Sequence, residues 1–361
     1  MTRNQEMMIQ LGFNGAWRPS ADPLVIGAEN FCVLQNTRYS PDGSLEGVSG
    51  YSAINLKPLT DPDYEYLTTL ALCGNAGSRL QDCDEYDPLL GAWIGRADAP
   101  APARSGNMGA GVDHLAFTFG GADTSIYYGI PDSDVLDSVT DVWAARADMV
   151  SPARLFAASV VLDSLVYVMG GRYSGGSIQD CDQYNPLTDS WTARADMPSP
   201  ARREPGYCAL NSKGYVFGGY KSSESCSDCD EYNPVTDAWA SKSNLIIPRT
   251  GACAFTLDGA AYLAGGGNGS IFPTNYQDCD AYDPEGDAWT SMAMMPSPAR
   301  VYAGAQALEG QGLMYGGGVL TTIRYIKDVD VYDPGLDSWV SREDMPAPGR
   351  CQFGSAAIQY S

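Results

Sequence analysis

An all-β chain closed into a six-bladed propeller is predicted by three features: a tryptophan that returns at a nearly fixed interval, a Gly-Gly doublet, and an Asp-rich string between them. Trp93, Trp143, Trp191, Trp239, Trp289 and Trp339 are separated by 50, 48, 48, 50 and 50 residues. That period belongs to propeller blades rather than to helical solenoids. The clearest copy of the string runs from Gln179 through Asp180-Cys181-Asp182-Gln183-Tyr184-Asn185-Pro186 to Trp191. Six such units fill residues 66–361, leaving residues 1–65 as an N-terminal arm.

The arm lacks the repeat. Pro19 and Pro23 keep its first part extended. Ser40-Pro41-Asp42-Gly43 then reads as a turn, because proline presets φ and glycine supplies a positive φ. Strands on either side, about 31–39 and 45–54, make a β-hairpin.

Within each repeat four short strands are expected. The first begins at an arginine (Arg104, Arg154, Arg202, Arg249, Arg300 and Arg350) and is rich in Gly, Ala and Ser, as suits strands crowding round an axis. A polar turn follows at Asp113, Asp163, Asn211, Asp258, Glu309 and Gln359. The second strand is apolar and ends in the doublet at Gly120, Gly170, Gly218, Gly265 and Gly316, where a Cβ would be excluded. The third strand carries Asp-x-Asp-x-Tyr, and the fourth opens at the tryptophan. The last first strand stands at the C-terminus, so it is expected to complete the blade begun near residue 66 and to leave no open sheet edge.

These marks, the doublet, the Tyr-Asp-Pro turn and the tryptophan at their mutual distances, resemble the kelch repeat over residues 66–361. Two units depart: Leu136 and Ser138 replace Tyr and Pro, and Cys73-Gly74 replaces the doublet. The arm, with Gln35-Asn36, Asp42-Gly43-Ser44-Leu45 and Gly47-Val48-Ser49-Gly50-Tyr51, resembles the N-terminal stretch of tailed-bacteriophage tail nozzle or hub proteins. That resemblance implies a virion component, made in the host cytoplasm, that forms a homo-oligomer or contacts other structural proteins. The alternatives are a carbohydrate- or protein-binding kelch module, cytoplasmic or on a cell or particle surface, and a kelch-scaffold enzyme acting on a sugar.

Composition narrows the function. A formal net charge of −22 argues against recognition of nucleic acid phosphates. No stretch approaches the ~20 apolar residues of a membrane span, and residues 1–12 lack the pattern of a cleaved signal. Of ten cysteines, Cys83, Cys181, Cys229 and Cys279 share one register position with Val329, which marks a small buried apolar site in a reducing compartment.

Paired aspartates precede every tryptophan by eleven and nine residues, on one strand face. They could ligate calcium, but each repeat also supplies an arginine. Pairing of Arg104, Arg154, Arg202, Arg249, Arg300 and Arg350 with Asp84, Asp134, Asp182, Asp230, Asp280 and Asp330 is therefore expected to be structural. The Asp two residues before the tryptophan reads as turn chemistry.

Catalysis has little to stand on. His114 is the one histidine, and Cys226-x-x-Cys229 has redox spacing without a helix N-terminus. No cofactor or metal is expected. Partner contacts are expected from the loops after the doublets, through Tyr127, Tyr128, Tyr173, Tyr220, Phe272, Tyr276 and Tyr325.

Overall fold

A computed structural model describes residues 66–360 apart from 89, 124–128, 151, 270–273, 320–321 and 323. It also describes four strands nearer the N-terminus, Cys32–Gln35, Arg38–Tyr39, Leu45–Glu46 and Tyr51–Ile54. The chain divides into two compact units, Met1–Tyr66 with Tyr360–Ser361, and Leu67–Gln359.

In the first unit Cys32–Gln35 pairs antiparallel with Tyr51–Ile54, and Arg38–Tyr39 with Leu45–Glu46. The register shifts by two between the pairs, from Gln35↔Tyr51 to Arg38↔Glu46. The expected turn at Ser40-Pro41-Asp42-Gly43 lies outside the described residues.

The second unit is a six-bladed, kelch-like β-propeller, each blade a four-stranded antiparallel sheet. Blade 3 shows the pattern: Ala158–Leu162 innermost, then Leu165–Met169, Cys181–Asn185 and Ser190–Arg194. Blade 2 runs from Met108–Val112 to Val142–Arg146, and blade 4 from Gly206–Leu210 to Ala238–Lys242. Blade 5 runs from Cys253–Leu257 to Ala288–Met292, and blade 6 from Gly304–Leu308 to Ser338–Arg342. In blade 1 the C-terminal strand Gly354–Tyr360 lies beside Tyr66–Asn75, followed by Arg79–Asp87 and Ala92–Arg96. The two ends of the repeat region thus share one sheet, and the ring has no open edge between its first and last blades.

Small inner residues are a steric requirement. A Cβ on Gly109 would stand 2.6 Å from the Ser355 backbone nitrogen, and one on Gly111 would overlap the Ala357 carbonyl. Between blades the core is apolar and aromatic. Phe119 and Val135 of blade 2 pack with Val166, Val168 and Tyr184 of blade 3. The repeating Tyr and Trp are part of this packing: Tyr184 and Trp191 lie 5.1 Å apart, and Phe119 meets Trp191 edge-on at 5.3 Å.

The Asp two residues before the tryptophan does more than shape a turn; it staples neighbouring blades. Asp189 Oδ1 accepts the Ala147 backbone N–H from blade 2 at 2.8 Å and the Tyr184 hydroxyl at 2.7 Å. Trp191 Nε1 donates to the Ala147 carbonyl at 3.0 Å. Asp237, Asp287 and Asp337 likewise accept the backbone N–H of Ala195, Ser243 and Ala293 and the hydroxyls of Tyr232, Tyr282 and Tyr332. The turn reading missed this because the partner belongs to the preceding repeat.

The innermost strands begin later than their arginines. In blade 3 the strand starts at Ala158, not Arg154. The reason is local: Phe156 is left-handed, with φ 58°, and turns the chain before pairing begins.

Candidate functional site

The six arginines are at most 1% exposed, and each pairs with an aspartate of its own blade while its backbone carbonyl meets the preceding one. Arg104 Nη2 lies 2.6 Å from Asp134 Oδ2, and Arg249 Nη2 lies 2.5 Å from Asp280 Oδ2. The same ion pair links Arg154 to Asp182, Arg202 to Asp230, Arg300 to Asp330 and Arg350 to Asp84. A second amine of Arg154 donates to the Asp180 carbonyl at 2.7 Å, so one side chain clamps the third strand twice. The arginine's own carbonyl faces the preceding blade: Gly121 N donates to Arg154 O at 3.1 Å, and Gly171 N to Arg202 O at 3.0 Å.

This explains the doublets. A Cβ on Gly120 would stand 2.4 Å from Arg154 O, and Gly120 and Gly121 have φ of 57° and 88°. Blade 1 meets the same demand differently. Cys73 takes the left-handed position with φ 62° in a bulge between Leu72 and Gly74, and Gly74 N donates to Arg104 O at 3.0 Å. Burial pushes the Asp84 and Asp134 carboxyls up, against the pull of the paired arginines.

Two residues after each arginine stands a second ring that the sequence reading passed over: Gly106, Phe156, Glu204, Gly251, Tyr302 and Gln352. All are left-handed, with φ between 56° and 69°. Phe156 N donates to Gly106 O, Glu204 N to Phe156 O, Gly251 N to Glu204 O and Tyr302 N to Gly251 O, each at 2.8 Å. Gln352 N donates to Tyr302 O at 3.2 Å, and Gly106 N to Gln352 O at 2.7 Å, closing the circle. Each blade therefore donates one N–H to its predecessor around the mouth of the central channel. The available signal was the pair of glycines, Gly106 and Gly251, at one register position.

The non-glycine members of this ring make the site. Phe156 of blade 3 and Tyr302 of blade 6 come from opposite sides, their rings stacked with centroids 6.3 Å apart. Each covers a glycine neighbour: a Cβ on Gly106 would stand 2.6 Å from Phe156, and one on Gly251 2.8 Å from Tyr302. Glu204 Oε2 accepts the Tyr302 hydroxyl at 2.7 Å and the Thr250 hydroxyl at 3.1 Å. Arg203 Nε lies 3.4 Å from Glu204 Oε1, and its guanidinium sits 4.4 Å from the Tyr220 ring centroid. Burial and the Glu204 carboxylate hold the Tyr302 phenol well above its ordinary pKa.

Behind this mouth lies a cavity of about 80 Å³, lined by Asn107, Tyr207 and Phe353 as well as the ring. It shares Tyr207 and Phe353 with a channel cavity of about 290 Å³ lined by small residues such as Ala110, Ser159 and Ala254.

The expected loop aromatics separate. Tyr173 is 39% exposed. Tyr220 is half-buried beneath Arg203, and Tyr276 lies 5.9 Å from the Arg249 guanidinium. Tyr325 is half-buried, while Tyr127, Tyr128 and Phe272 lie outside the described residues. His114 sits in the turn between Met108–Val112 and Leu115–Phe119, at the other end of the strands, where its carbonyl accepts Ser138 Oγ at 2.7 Å. Cys226 and Cys229 are buried and unbridged, with thiols raised by burial to about 11 and about 12.

Sheet topology and repeats together define the class: a β-propeller built from kelch-type blades. Residues 153–198, 201–245 and 248–296 match the Kelch motif, and each match contains the four strands of one blade, blades 3, 4 and 5. The solved structure of YjhT is similar over 71% of this chain and 88% of its own, with TM-score 0.61 and 18% identity, a likeness of fold alone. No curated protein matches the chain significantly. With 533 solved chains similar to it, the fold by itself does not select a function.

Proposed function

We propose that the chain is a non-enzymatic binding module that meets a protein or carbohydrate partner with the loop face surrounding Glu204. The observation that carries this reading is the mouth itself. Phe156, Glu204, Tyr302 and Gln352 hold strained left-handed backbones, a feature that clusters at ligand clamps, and exposed Tyr173 follows Arg172, which bridges to Leu155 beside Phe156. The remaining recurrent polar groups are engaged in structure: the arginines hold third strands and the aspartates staple blades. Thiols raised to about 12, as at Cys181 and Cys253, are poor nucleophiles at neutral pH. A glycan array probed with the full chain and with Tyr173→Ser tests this. Glycan binding that falls about tenfold in the variant supports it. A glycan bound equally by both would remove the loop face as the contact surface.

A second reading, a component of a tailed-phage particle, is favoured by the arm. The hairpin pairing of Cys32–Gln35 with Tyr51–Ile54 falls on the string that resembles tail proteins. In that reading the module is a homo-oligomer in a virion assembled in the host cytoplasm; otherwise it is cytoplasmic or displayed on a surface. The mass of the full chain in solution separates the two. A symmetric oligomer supports the particle component, and a monomer at micromolar concentration counts against self-assembly.

A further inference from the structure

The mouth cavity is rich in acceptors and poor in donors. All six backbone N–H groups of its ring are engaged by a neighbouring blade, whereas a carbonyl oxygen has two lone pairs and the ring uses one. Among the described residues only the Glu204 carbonyl takes a further bond, from the Thr250 hydroxyl at 3.3 Å. The Asn107 amide nitrogen is used by Leu72 O at 3.1 Å and Thr118 Oγ1 at 2.8 Å. Among the described residues Glu204 Oε1 has only the long Arg203 contact at 3.4 Å, and Arg203 does not line the cavity. Left over as donors are the Gln352 amide and the Tyr207 hydroxyl. Among the described residues no Lys, Arg or His lines either cavity.

Around these acceptors stand the rings of Phe156, Tyr207, Tyr302 and Phe353. A carboxylate and aromatic faces, within a chain of net charge −22, attract a positive charge. An inorganic ion would lose its hydration shell against apolar rings. An alkylated ammonium does not face that cost, and its methyl groups fit a cavity of about 80 Å³. We propose that the channel mouth binds a small organic cation, an alkylammonium group, in the cavity lined by the stacked Phe156 and Tyr302 rings, with its charge against Glu204. The proposal rests on the mouth being a recognition site, and it concerns a small ligand rather than the macromolecular partner on the loops.

Isothermal titration of the full chain with choline and with its neutral isostere 3,3-dimethylbutan-1-ol tests the charge directly. Choline is expected to bind at least about tenfold more tightly than the alcohol. Glu204→Gln and Phe156→Asn are each expected to weaken choline about tenfold; Asn tolerates the left-handed backbone there. Gln352→Glu, which adds a second carboxylate without changing shape, is expected to tighten it, so the test survives if a weakening variant fails to fold. Absence of choline binding at millimolar concentration, equal binding of the alcohol, or choline affinity unchanged by Gln352→Glu would overturn the proposal. Because glycan binding is scored on Tyr173, its failure and the failure of choline binding are separate results.

Discussion

Arg350 and Asp84, 266 residues apart in the chain, form the buried ion pair that Arg154 and Asp182 form across 28. The long-range pair closes the ring with the same chemistry that builds each blade. Replacing Arg350 with Met leaves Asp84 buried without its cation, at a cost of about 3–5 kcal/mol. Chemical denaturation is expected to show that loss in one cooperative transition. A change below about 1 kcal/mol would mean that Asp84 is solvated instead.

One staple is missing. Where the other blades place an Asp, blade 1 has Gly91, left-handed with φ 63°, and the Trp93 Nε1 is buried without a partner. The Asp residues at this position have φ of 45–56°, so Gly91→Asp fits the backbone. It would offer an acceptor to Tyr86 and to the backbone N–H of Glu343. We expect a stabilisation of about 1 kcal/mol, read as a higher thermal midpoint. An unchanged or lower midpoint would mean that the first and last blades meet differently from the others.

Acid should loosen the staples. The Ala147, Ala195 and Ser243 backbone N–H groups, with the tyrosine hydroxyls, hold the Asp189, Asp237 and Asp287 carboxyls below the ordinary 3.8. A carboxyl depressed by folding contributes stability that is present above its unfolded pKa and is lost as pH falls through its folded value. The stability difference between the wild type and Asp189→Asn should therefore be constant near neutrality and shrink below about pH 4. A difference that grows on acidification would reverse the assignment. Asp84 and Asp134, raised by burial, carry the opposite sign, and the paired comparison cancels them.

The nine described cysteines are all buried and free. Burial pushes Cys73, Cys229 and Cys351 up to about 12, so the native chain should leave these thiols unmodified by a thiol-specific disulfide reagent at pH 8. Reaction of any of them before unfolding, located by peptide mass mapping, would show an opening in the ring.

Much of the propeller was legible because its demands recur: a Trp that packs on a Tyr, a Gly where Arg154 O approaches, an Arg twenty-eight residues before its Asp182. What recurs in position but not in residue type was hidden. Gly106, Phe156, Glu204, Gly251, Tyr302 and Gln352 share a backbone conformation, and their side chains have nothing in common. Bonds between successive repeats were also hidden, since Asp189 and Ala147 lie 42 residues apart with no local pattern to join them. The loop aromatics were visible as residues, but Tyr220 proves to be engaged by Arg203, which only tertiary contact decides.

The blades form one closed ring tied at its mouth. Native-state hydrogen exchange at the backbone amides of Gly106, Phe156, Glu204, Gly251, Tyr302 and Gln352 tests it most directly. Each N–H is bonded to the neighbouring blade, so all should exchange only with global unfolding, at one common free energy. If any of them, above all Gly106 with its bond to Gln352 across the closure, exchanged by local fluctuation, the ring would not be closed as described.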